Sequence, residues 1–544
     1  MSELHSRRVV LRGLAAGGAV AVLPFGVPRV GAAPNGGPYG PLGPPDALGL
    51  RLPEGFTSRL VAETGKPVGD SGFIWHGDPD GGATFPTVGG GWIYVSNSEI
   101  SNAMGGASMI RFDATGNIID SRSILQGTYR NCSGGPTPWG TWLSCEEIGN
   151  IGQVYECDPF GVRRAHARPA MGYFSQEAAV VDPETSIVYM TEDRVDSGLY
   201  RFLPDVGGDL SSGTLEVMVE VGGAIGWETI PDPRGRPTET RFQVPNMKVF
   251  NRGEGAFFSE GRVVVATTGD DRVWSYTPAT NHLEILYDRA TSPEPVLSGS
   301  DNLTVSDTGD VFVCEDGGNL ELVVLPAEGG ANPFLRVEGQ SGTELTGVAF
   351  DPSGTRLYFS SQRNPGQTYE ITGPFRTGLS VPEPFPDPEP EPETEPEPFV
   401  CSVVDGKLSW SDQGIGRYFI RSVNGGVERY LGESAGLSFA VSGADEAYIV
   451  RYWVNGQRID ATCAGHGGPA PEPEPEPFGC SVVDGVLSWN DQGVGRYFIR
   501  RVNGGVDRYL GESAGLSFTV SGTDEAYIVR YRVGGQVFDA ICEP

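Results

Sequence analysis

Short runs of β-forming residues recur between residues 56 and 375, each following a glycine or a turn and ending on a polar or acidic residue. Several runs are followed by another of the same kind, such as SMIRFD at residues 108–113, which predicts hairpins. The pattern therefore predicts antiparallel sheets of short strands. The six principal runs span residues 91–99, 140–147, 187–193, 261–271, 310–316 and 356–362.

These runs begin about 45 to 50 residues apart, with one longer interval between the third and the fourth. A period of about 40 to 50 residues with four short strands in each repeat is typical of a β-propeller. We therefore predict an all-β protein in which residues 34–380 form a six-bladed β-propeller. A pair of β-sandwiches and a solenoid remain alternatives.

The C-terminal part contains two copies of one module, because residues 401–463 and 480–542 differ at 12 of 63 positions. Alternating strands with Asn-Gly, Asp-Gly and Ser-Gly turns predict a small β-sandwich in each copy, at residues 400–463 and 480–544. Pro-Glu linkers at 381–399 and 464–479 are predicted to be extended spacers. The cysteines that bracket the modules predict two structural disulfides and are Cys401, Cys463, Cys480 and Cys542.

Composition narrows the possible partners of the 544-residue chain. The formal net charge of −31 argues against nucleic acid, because no basic stripe is present to follow a phosphate backbone. Five scattered histidines weaken any prediction of a zinc site. Residues 1–33 resemble a twin-arginine export signal, with Arg7-Arg8 before an apolar run, although an ordinary secretory signal is an alternative. No later apolar run approaches the length of a membrane span, so we predict a periplasmic or secreted protein.

Acidic and amide side chains recur where the strands begin and end. In a propeller these ends meet at one mouth of the central channel, where clustered carboxylates would repel each other without cations. Oxygen ligands suit calcium above all, and also ferric iron or manganese. Cys132, between Asn131 and a Gly-Gly turn, is a candidate soft ligand that could select a redox metal, although a buried free thiol is the alternative. The strand-end and loop residues include Asn97, Glu99, Glu147, Glu177, Glu192, Glu254, Asp301 and Glu315.

Two arginines stand beside these acidic positions. Arg252 precedes Glu254 by two residues, and Arg363 follows the sixth strand run. A guanidinium fork matches a phosphate group, so both are candidates for binding an anionic substrate. Pairing with neighbouring carboxylates is the alternative.

Four segments resemble the PhoX alkaline phosphatase family: NCSGGPTPWGTWLSCEE, FSQEAAVVDPETSIVYMTEDR, SDNLTVSDTGDVFVCEDGG and ELTGVAFDPSGTRLYFSSQR. The resemblance implies a six-bladed propeller with an iron and calcium cluster that hydrolyses phosphate monoesters outside the cytoplasm. It assigns iron to Cys132. The carboxylate ligands that it implies are Glu147, Glu177, Glu192, Glu254, Asp301 and Glu315. Ser98 and Gln176 stand where the family has histidines, which puts the substrate choice and the level of activity in doubt.

The sequence thus predicts an exported phosphatase that holds Ca²⁺ and Fe³⁺ and acts on a small-molecule phosphate ester. Glu99 is added to the predicted metal ligands, and Arg252 and Asn97 are the predicted catalytic residues, with Arg252 and Arg363 on the phosphate. A calcium-stabilised binding or adhesion propeller and a lactonase-like calcium hydrolase are the alternatives. The C-terminal modules are candidates for contact with a surface or a glycan.

Overall fold

The computed structural model describes residues 37–377 without a gap, residues 384–386 and 388, and much of residues 399–542. The predicted export signal at 1–33 and most of both Pro-Glu linkers lie outside the described residues. Within residues 399–542, the residues left undescribed are 405, 412–417, 435–437, 442–444, 446, 455–456, 465–479, 484–485, 490–496, 504–505, 514–515, 521–525 and 534–535.

The large N-terminal part consists of short strands, with 3₁₀ helices at Gly37–Tyr39, Pro169–Met171, Thr240–Phe242, Thr268–Asp270 and Pro278–Thr280. In chain order the strands are β1 (Leu50–Arg51), β2 (Thr57–Glu63), β3 (Pro79–Pro86), β4 (Trp92–Ser98), β5 (Gly105–Phe112), β6 (Ile118–Thr128), β7 (Asn131–Pro136), β8 (Trp142–Glu146), β9 (Val154–Cys157), β10 (His166–Ala167), β11 (Gln176–Val181), β12 (Val188–Glu192), β13 (Leu199–Val206), β14 (Asp209–Val221), β15 (Ala224–Thr229), β16 (Gly253–Ser259), β17 (Arg262–Thr267), β18 (Arg272–Thr277), β19 (His282–Asp288), β20 (Ser300–Val305), β21 (Val311–Glu315), β22 (Glu321–Leu325), β23 (Asn332–Val337), β24 (Leu345–Phe350), β25 (Arg356–Ser361) and β26 (Gln367–Thr372).

These strands form antiparallel sheets of four or five strands in chain order. The first four sheets are β3–β6, β7–β10, β11–β15 and β16–β19, and each is continuous in sequence. The fifth combines β20–β23 with β1, and the sixth combines β24–β26 with β2. The pairing of β2 with β26, with Thr57 opposite Thr372, joins the N-terminal part of the chain to the last sheet.

The second strand of each sheet is buried on both faces, because it is covered by a neighbouring sheet on each side. Strands β4, β8, β12 and β21 are buried at every position. Apolar clusters fill the space between consecutive sheets and also between the sixth sheet and the first. In that last cluster the rings of Tyr94 and Tyr358 stack with centroids 5.0 Å apart. The first strands lie against one another in the order β3, β7, β11, β16, β20, β24 and again β3. A cavity between them is lined by residues of β3, β7, β16, β20 and β24.

The C-terminal modules repeat one arrangement, in which a three-stranded sheet and a four-stranded sheet enclose an apolar core. Both predicted disulfides are present, and each joins the first strand of a module to its last. The strands are β27 (Cys401–Val404), β28 (Lys407–Trp410), β29 (Tyr418–Asn424), β30 (Val427–Ser434), β31 (Ser438–Ala440), β32 (Ala447–Val454), β33 (Gln457–Ala464), β34 (Cys480–Val483), β35 (Val486–Trp489), β36 (Tyr497–Asn503), β37 (Val506–Ser513), β38 (Ser517–Thr519), β39 (Ala526–Val533) and β40 (Gln536–Cys542).

Candidate metal centre

One backbone hydrogen bond recurs at the same place in all six sheets and defines two equivalent positions. In each sheet the residue just after the second strand donates its N–H to the carbonyl of the residue just before the first strand. We call the donor residue the tip position and the acceptor residue the loop position. The six N···O distances are 2.7 to 3.2 Å. The tip–loop pairs are Glu99–Asp78, Glu147–Arg130, Asp193–Ser175, Thr268–Arg252, Asp316–Gly299 and Gln362–Glu344.

A third equivalent position comes from a β-bulge. In the first five sheets a register shift begins two residues after the loop position, so two residues of the first strand leave the regular pairing. A bulge bends the strand and re-aims a side chain, and bulges are common beside active sites. The first residue of every one of these bulges is acidic or a cysteine: Asp80, Cys132, Glu177, Glu254 and Asp301.

The bulge and tip residues meet in three overlapping groups, in each of which the potential ligand atoms lie within 4.8 Å of one another. Cys132 is common to the first two groups, and Glu177 is common to the last two. We call the seven residues together the acidic centre. The groups are Asp80–Glu99–Cys132, Cys132–Glu147–Glu177 and Glu177–Glu254–Asp301.

The structure brings together six of the eight residues predicted as metal ligands: Cys132, Glu99, Glu147, Glu177, Glu254 and Asp301. It adds Asp80, which the sequence analysis did not single out. The signal for Asp80 is present in the sequence, because an acidic residue or cysteine followed by small residues recurs at four of the five bulges, as DGG, CSGG, EAA and EGA.

Glu192 and Glu315 lie outside the three groups because each stands one residue before a tip position, where strand alternation turns the side chain away. Glu192 is fully buried and accepts hydrogen bonds from Tyr200 Oη (2.8 Å) and Arg241 Nη1 (3.1 Å). Glu315 accepts from the backbone N–H groups of Ser298 (2.9 Å) and Glu321 (3.0 Å). Their carboxylates therefore fasten loops to the sheets.

Asn97 is also turned away from the acidic centre. Its Nδ2 donates to the carbonyl of Ser133 (2.7 Å), and its Oδ1 accepts from Trp142 Nε1 (2.9 Å) and Ser144 Oγ (2.8 Å). The side chain is fully buried and both of its polar atoms are used within the protein. In this placement Asn97 joins the first sheet to the second and holds the backbone beside Cys132.

Three arginines surround the acidic centre, and each keeps more than a third of its side chain exposed. Arg252 contacts Asp193 through Nε and Nη2 (2.8 and 2.9 Å), and its Nη2 lies 3.0 Å from Glu254 Oε1. Arg363 Nη2 lies 2.7 Å from Glu344 Oε1 and 3.1 Å from Glu99 Oε2. The exposed fractions are 35% for Arg252, 38% for Arg363 and 40% for Arg130.

Arg130 was not among the predicted site residues. Its guanidinium joins Glu99, at 2.6 Å from Nη2 to Oε1, and Glu147. Arg130 and Arg252 both occupy loop positions, with φ of +45° and +55°. This left-handed backbone is unfavourable for a side chain of their size, and such strain is commonly found at functional sites.

Burial and mutual repulsion disfavour the ionised forms of the acidic centre in the absence of a cation. The pKa of Asp80 is raised well above its usual range, chiefly by burial and then by repulsion from the negative charges of Asp301 and Glu99. Burial and the neighbouring Glu254 do the same to the pKa of Glu177. Burial, with Asp80 next, raises the pKa of the Cys132 thiol. Such a cluster is stable in its charged form only when cations compensate it.

The residues fit bound metal ions on an observation independent of their charge. Glu177 is fully buried, and neither of its carboxylate oxygens accepts a hydrogen bond from any residue that the structure describes. A buried carboxylate without a partner is costly, so its oxygens require a ligand. The group Glu177–Glu254–Asp301 offers oxygen alone, as calcium prefers, whereas the groups that contain Cys132 add a sulfur that suits iron.

The metal-free protein is expected to lose stability as the pH rises. Burial, reinforced by Asp316, raises the pKa of Asp301 to about 7, and burial raises the pKa of Glu147 to about 7. Since unfolded carboxyls titrate near 4, the folded state binds more protons between these values and its stability falls as they are lost. Thermal unfolding should show a melting temperature lower by at least about 5 °C at pH 8 than at pH 5 after chelation, and a smaller difference with metals bound. Equal pH dependence of the two forms would contradict this.

Comparison with known proteins agrees with the sequence resemblance. The family model described as alkaline phosphatase PhoX matches residues 95–366, which is half of the chain. Among solved structures, Pseudomonas fluorescens PhoX in complex with vanadate, a transition state analogue, is similar with a TM-score of 0.52 and 16% identity, over 61% of this chain and 97% of that chain. XC5397 from Xanthomonas campestris, a gluconolactonase, has a TM-score of 0.38 and 14% identity, over 62% of this chain and 99% of that chain. No curated protein sequence matches the chain.

The similar structure supports the all-β fold. The region that matches the family model contains six of the seven residues of the acidic centre, from Glu99 to Asp301. Asp80 lies before the matched region and joins the centre through its contact with Cys132, whose Sγ is 3.6 Å from Asp80 Oδ2. The predicted family and enzyme class are thus confirmed: this chain belongs to the PhoX family of alkaline phosphatases.

Proposed function

We propose that this protein is an exported, metal-dependent phosphatase that hydrolyses phosphate monoesters at the acidic centre. Membership of the PhoX family supports the class of reaction. The observation that carries the proposal is the convergence of one bulge residue from each of five consecutive sheets, with the buried Glu177 carboxylate left without a hydrogen-bond partner among the described residues.

The proposed scaffold is a six-bladed β-propeller that extends over residues 34–380 and has the acidic centre at one end of its channel. The contacts between first strands, which run from β3 to β24 and return to β3, support closure of the six sheets. The pairing of β2 with β26 supports it too, since it ties the two ends of the domain together. The modules at 400–463 and 480–544 follow as separate domains, with surface or glycan contact as their predicted role.

The proposed metals are Ca²⁺ and Fe³⁺. Cys132, with Glu147 and Glu177, would hold iron, and Glu177, Glu254 and Asp301 would hold calcium. When bound, these metals supply Lewis acidity for the phosphoryl oxygens and a more acidic bound water. Arg252 and Arg363 would bind phosphate oxygens with their exposed guanidinium edges, while the carboxylates behind them hold the forks in place. Burial of the centre keeps bulk water away from these charges.

Export is proposed from the twin-arginine-like segment and is consistent with the two disulfides, which persist in oxidising compartments. Across the described residues, the structure contains no helix with the length and apolar character required to cross a membrane. The substrate is accordingly proposed to be a small phosphate ester met outside the cytoplasm.

Replacing Arg252 by glutamine is expected to lower kcat/KM for p-nitrophenyl phosphate by about 100-fold, because one charged donor to the phosphoryl group is lost. Steady-state kinetics would measure this, with Arg336→Gln as the control. Arg336 is equally a surface arginine paired with a buried carboxylate, Glu321, but it lies on the outer strand β23. A kcat/KM equal to that of the unmodified protein would remove Arg252 from the proposed site.

The test of the proposed function is the metal content of the full-length protein, measured together with p-nitrophenyl phosphate hydrolysis. Protein from a host competent in twin-arginine export should contain iron and calcium and should release p-nitrophenol. Calcium alone without hydrolysis would overturn the phosphatase and favour a calcium-stabilised binding propeller. Calcium alone with lactone hydrolysis would favour a lactonase-like enzyme.

A further inference from the structure

The sixth sheet contributes to the acidic centre differently from the other five. Its bulge is displaced by one residue, because Thr346 pairs regularly with Ser360 and the register shift comes only after it. Thr346 Oγ1 donates to the carbonyl of Pro79 (2.7 Å) and does not face the centre. The side chain that this sheet directs into the centre is the tip residue, Gln362.

Gln362 lies against the group Asp80–Glu99–Cys132. Its Nε2 is 2.5 Å from Asp80 Oδ2 and 3.1 Å from Glu99 Oε2, so one amide nitrogen bridges two carboxylates. The residue is fully buried, and its Oε1 finds no hydrogen-bond partner within the described part of the chain. A buried amide oxygen without a partner costs free energy, which indicates that an electropositive group belongs beside it.

The two ends of a glutamine amide have nearly the same shape and exchange places by a half-turn about the last side-chain bond. Without a cation, the NH₂ group must face Asp80 and Glu99, because an oxygen there would be repelled. With a cation between these carboxylates, the preference is reversed, since a carbonyl oxygen binds the cation and an NH₂ group opposes it. The half-turn that brings Oε1 to the cation also removes the unpartnered oxygen.

We propose that Gln362 is a metal ligand, and that its side-chain carbonyl completes the site formed by Asp80, Glu99 and Cys132. This inference rests on the proposed function in that it requires cations at the acidic centre. It adds a neutral oxygen to a site whose other three ligands bear negative charge. The sixth sheet would thereby provide a ligand from its tip position in place of one from its bulge.

The experiment compares the metal content of full-length Gln362→Leu and Gln362→Glu with that of the unmodified protein by elemental analysis. Gln153→Leu is the matched control, because Gln153 is also fully buried with an amide unpartnered among the described residues, but it is not part of the acidic centre. The leucine variant should contain about one metal ion fewer per chain, and Gln362→Glu and Gln153→Leu should retain the full number. Fe³⁺ titration of the metal-stripped glutamate variant should show affinity about 10-fold higher, since a charged ligand replaces a neutral one.

A leucine variant with the full metal content would overturn the proposal and leave Gln362 as a spacer that separates Asp80 from Glu99. If the leucine variant does not fold, Gln362→Glu decides, because equal or weaker Fe³⁺ affinity would equally overturn the ligand role. Failure of the proposed function would be recognised by a different result, namely an unmodified protein that holds no metal or does not hydrolyse phosphate esters.

Discussion

Replacing Glu177 by glutamine is expected to remove bound metal and to lower kcat/KM for p-nitrophenyl phosphate by about 1,000-fold. Glu177 belongs to two of the three groups of the acidic centre, and it is the bulge residue whose oxygens both lack a hydrogen-bond partner in the described chain. Its neutralisation therefore weakens two cation sites at once, and a loss of about 4 kcal/mol of transition-state stabilisation corresponds to that factor. Elemental analysis and steady-state kinetics on the same preparation would measure both effects.

The control for this substitution is Glu321→Gln, which neutralises a carboxylate that is just as buried but pairs with Arg336 on the outer part of the fifth sheet. It should retain the metals and the activity within about 2-fold. Because Glu177 has no hydrogen-bond partner to lose, its substitution should not destabilise the metal-free fold. Full metal content in Glu177→Gln would contradict the assignment of the acidic centre.

Replacing Cys132 by alanine is expected to abolish iron binding while leaving the fold and some calcium in place. Cys132 is the sulfur ligand shared by two groups, and the group Glu177–Glu254–Asp301 does not depend on it. Since calcium prefers oxygen ligands and iron accepts thiolate, the loss should be selective for iron. Elemental analysis should therefore show iron reduced by at least about 10-fold and calcium reduced by less than half.

Cys157→Ala is the matched control, because Cys157 is a buried free thiol in the same sheet, packed within an apolar cluster and away from the acidic centre. It should retain its iron. Unchanged iron in Cys132→Ala would refute the thiolate role and leave a centre of oxygen ligands only.

Much of the fold could be predicted from the sequence because each principal run consists mainly of β-forming residues that are buried on both faces. Strands such as β4, β12 and β21 are covered by sheets on both sides, so their sequences read as continuous β-forming runs and locate the six sheets. The repeated modules and their disulfides followed from near identity and from the positions of the cysteines. The joining of β2 to the last sheet pairs residues more than 300 positions apart, and no local pattern indicates it.

The site residues could be predicted only where the sequence indicates which of two adjacent side chains faces the centre. The structure places Glu147, and not Glu146, in one of the three groups of the acidic centre. At the third and fifth sheets the tip positions belong to Asp193 and Asp316, one residue after the predicted Glu192 and Glu315. A shift of one residue reverses the face of a strand, and the bulges that set the register are visible only in the structure.

Asp80 and Arg130 were not predicted, because their roles also depend on positions that only the structure reveals. Neither stands in a conspicuous run of acidic or basic residues. Asp80 occupies the bulge position that Glu254 occupies in the fourth sheet, and Arg130 occupies the loop position that Arg252 occupies there. Asn97 shows the opposite case, in which a residue near a strand tip is used for packing, since its amide oxygen accepts a hydrogen bond from Trp142 Nε1. The repeated positions, rather than the residue types alone, identify the acidic centre.

The most direct test of the central claim is p-nitrophenyl phosphate hydrolysis during stepwise reloading of the metal-stripped, full-length protein with Fe³⁺ and Ca²⁺. A metal-dependent phosphatase should be inactive after chelation and should regain activity in proportion to the metal bound, with Glu177→Gln remaining inactive throughout. Hydrolysis that is undiminished in the stripped protein, or absent after both metals have bound, would contradict the account.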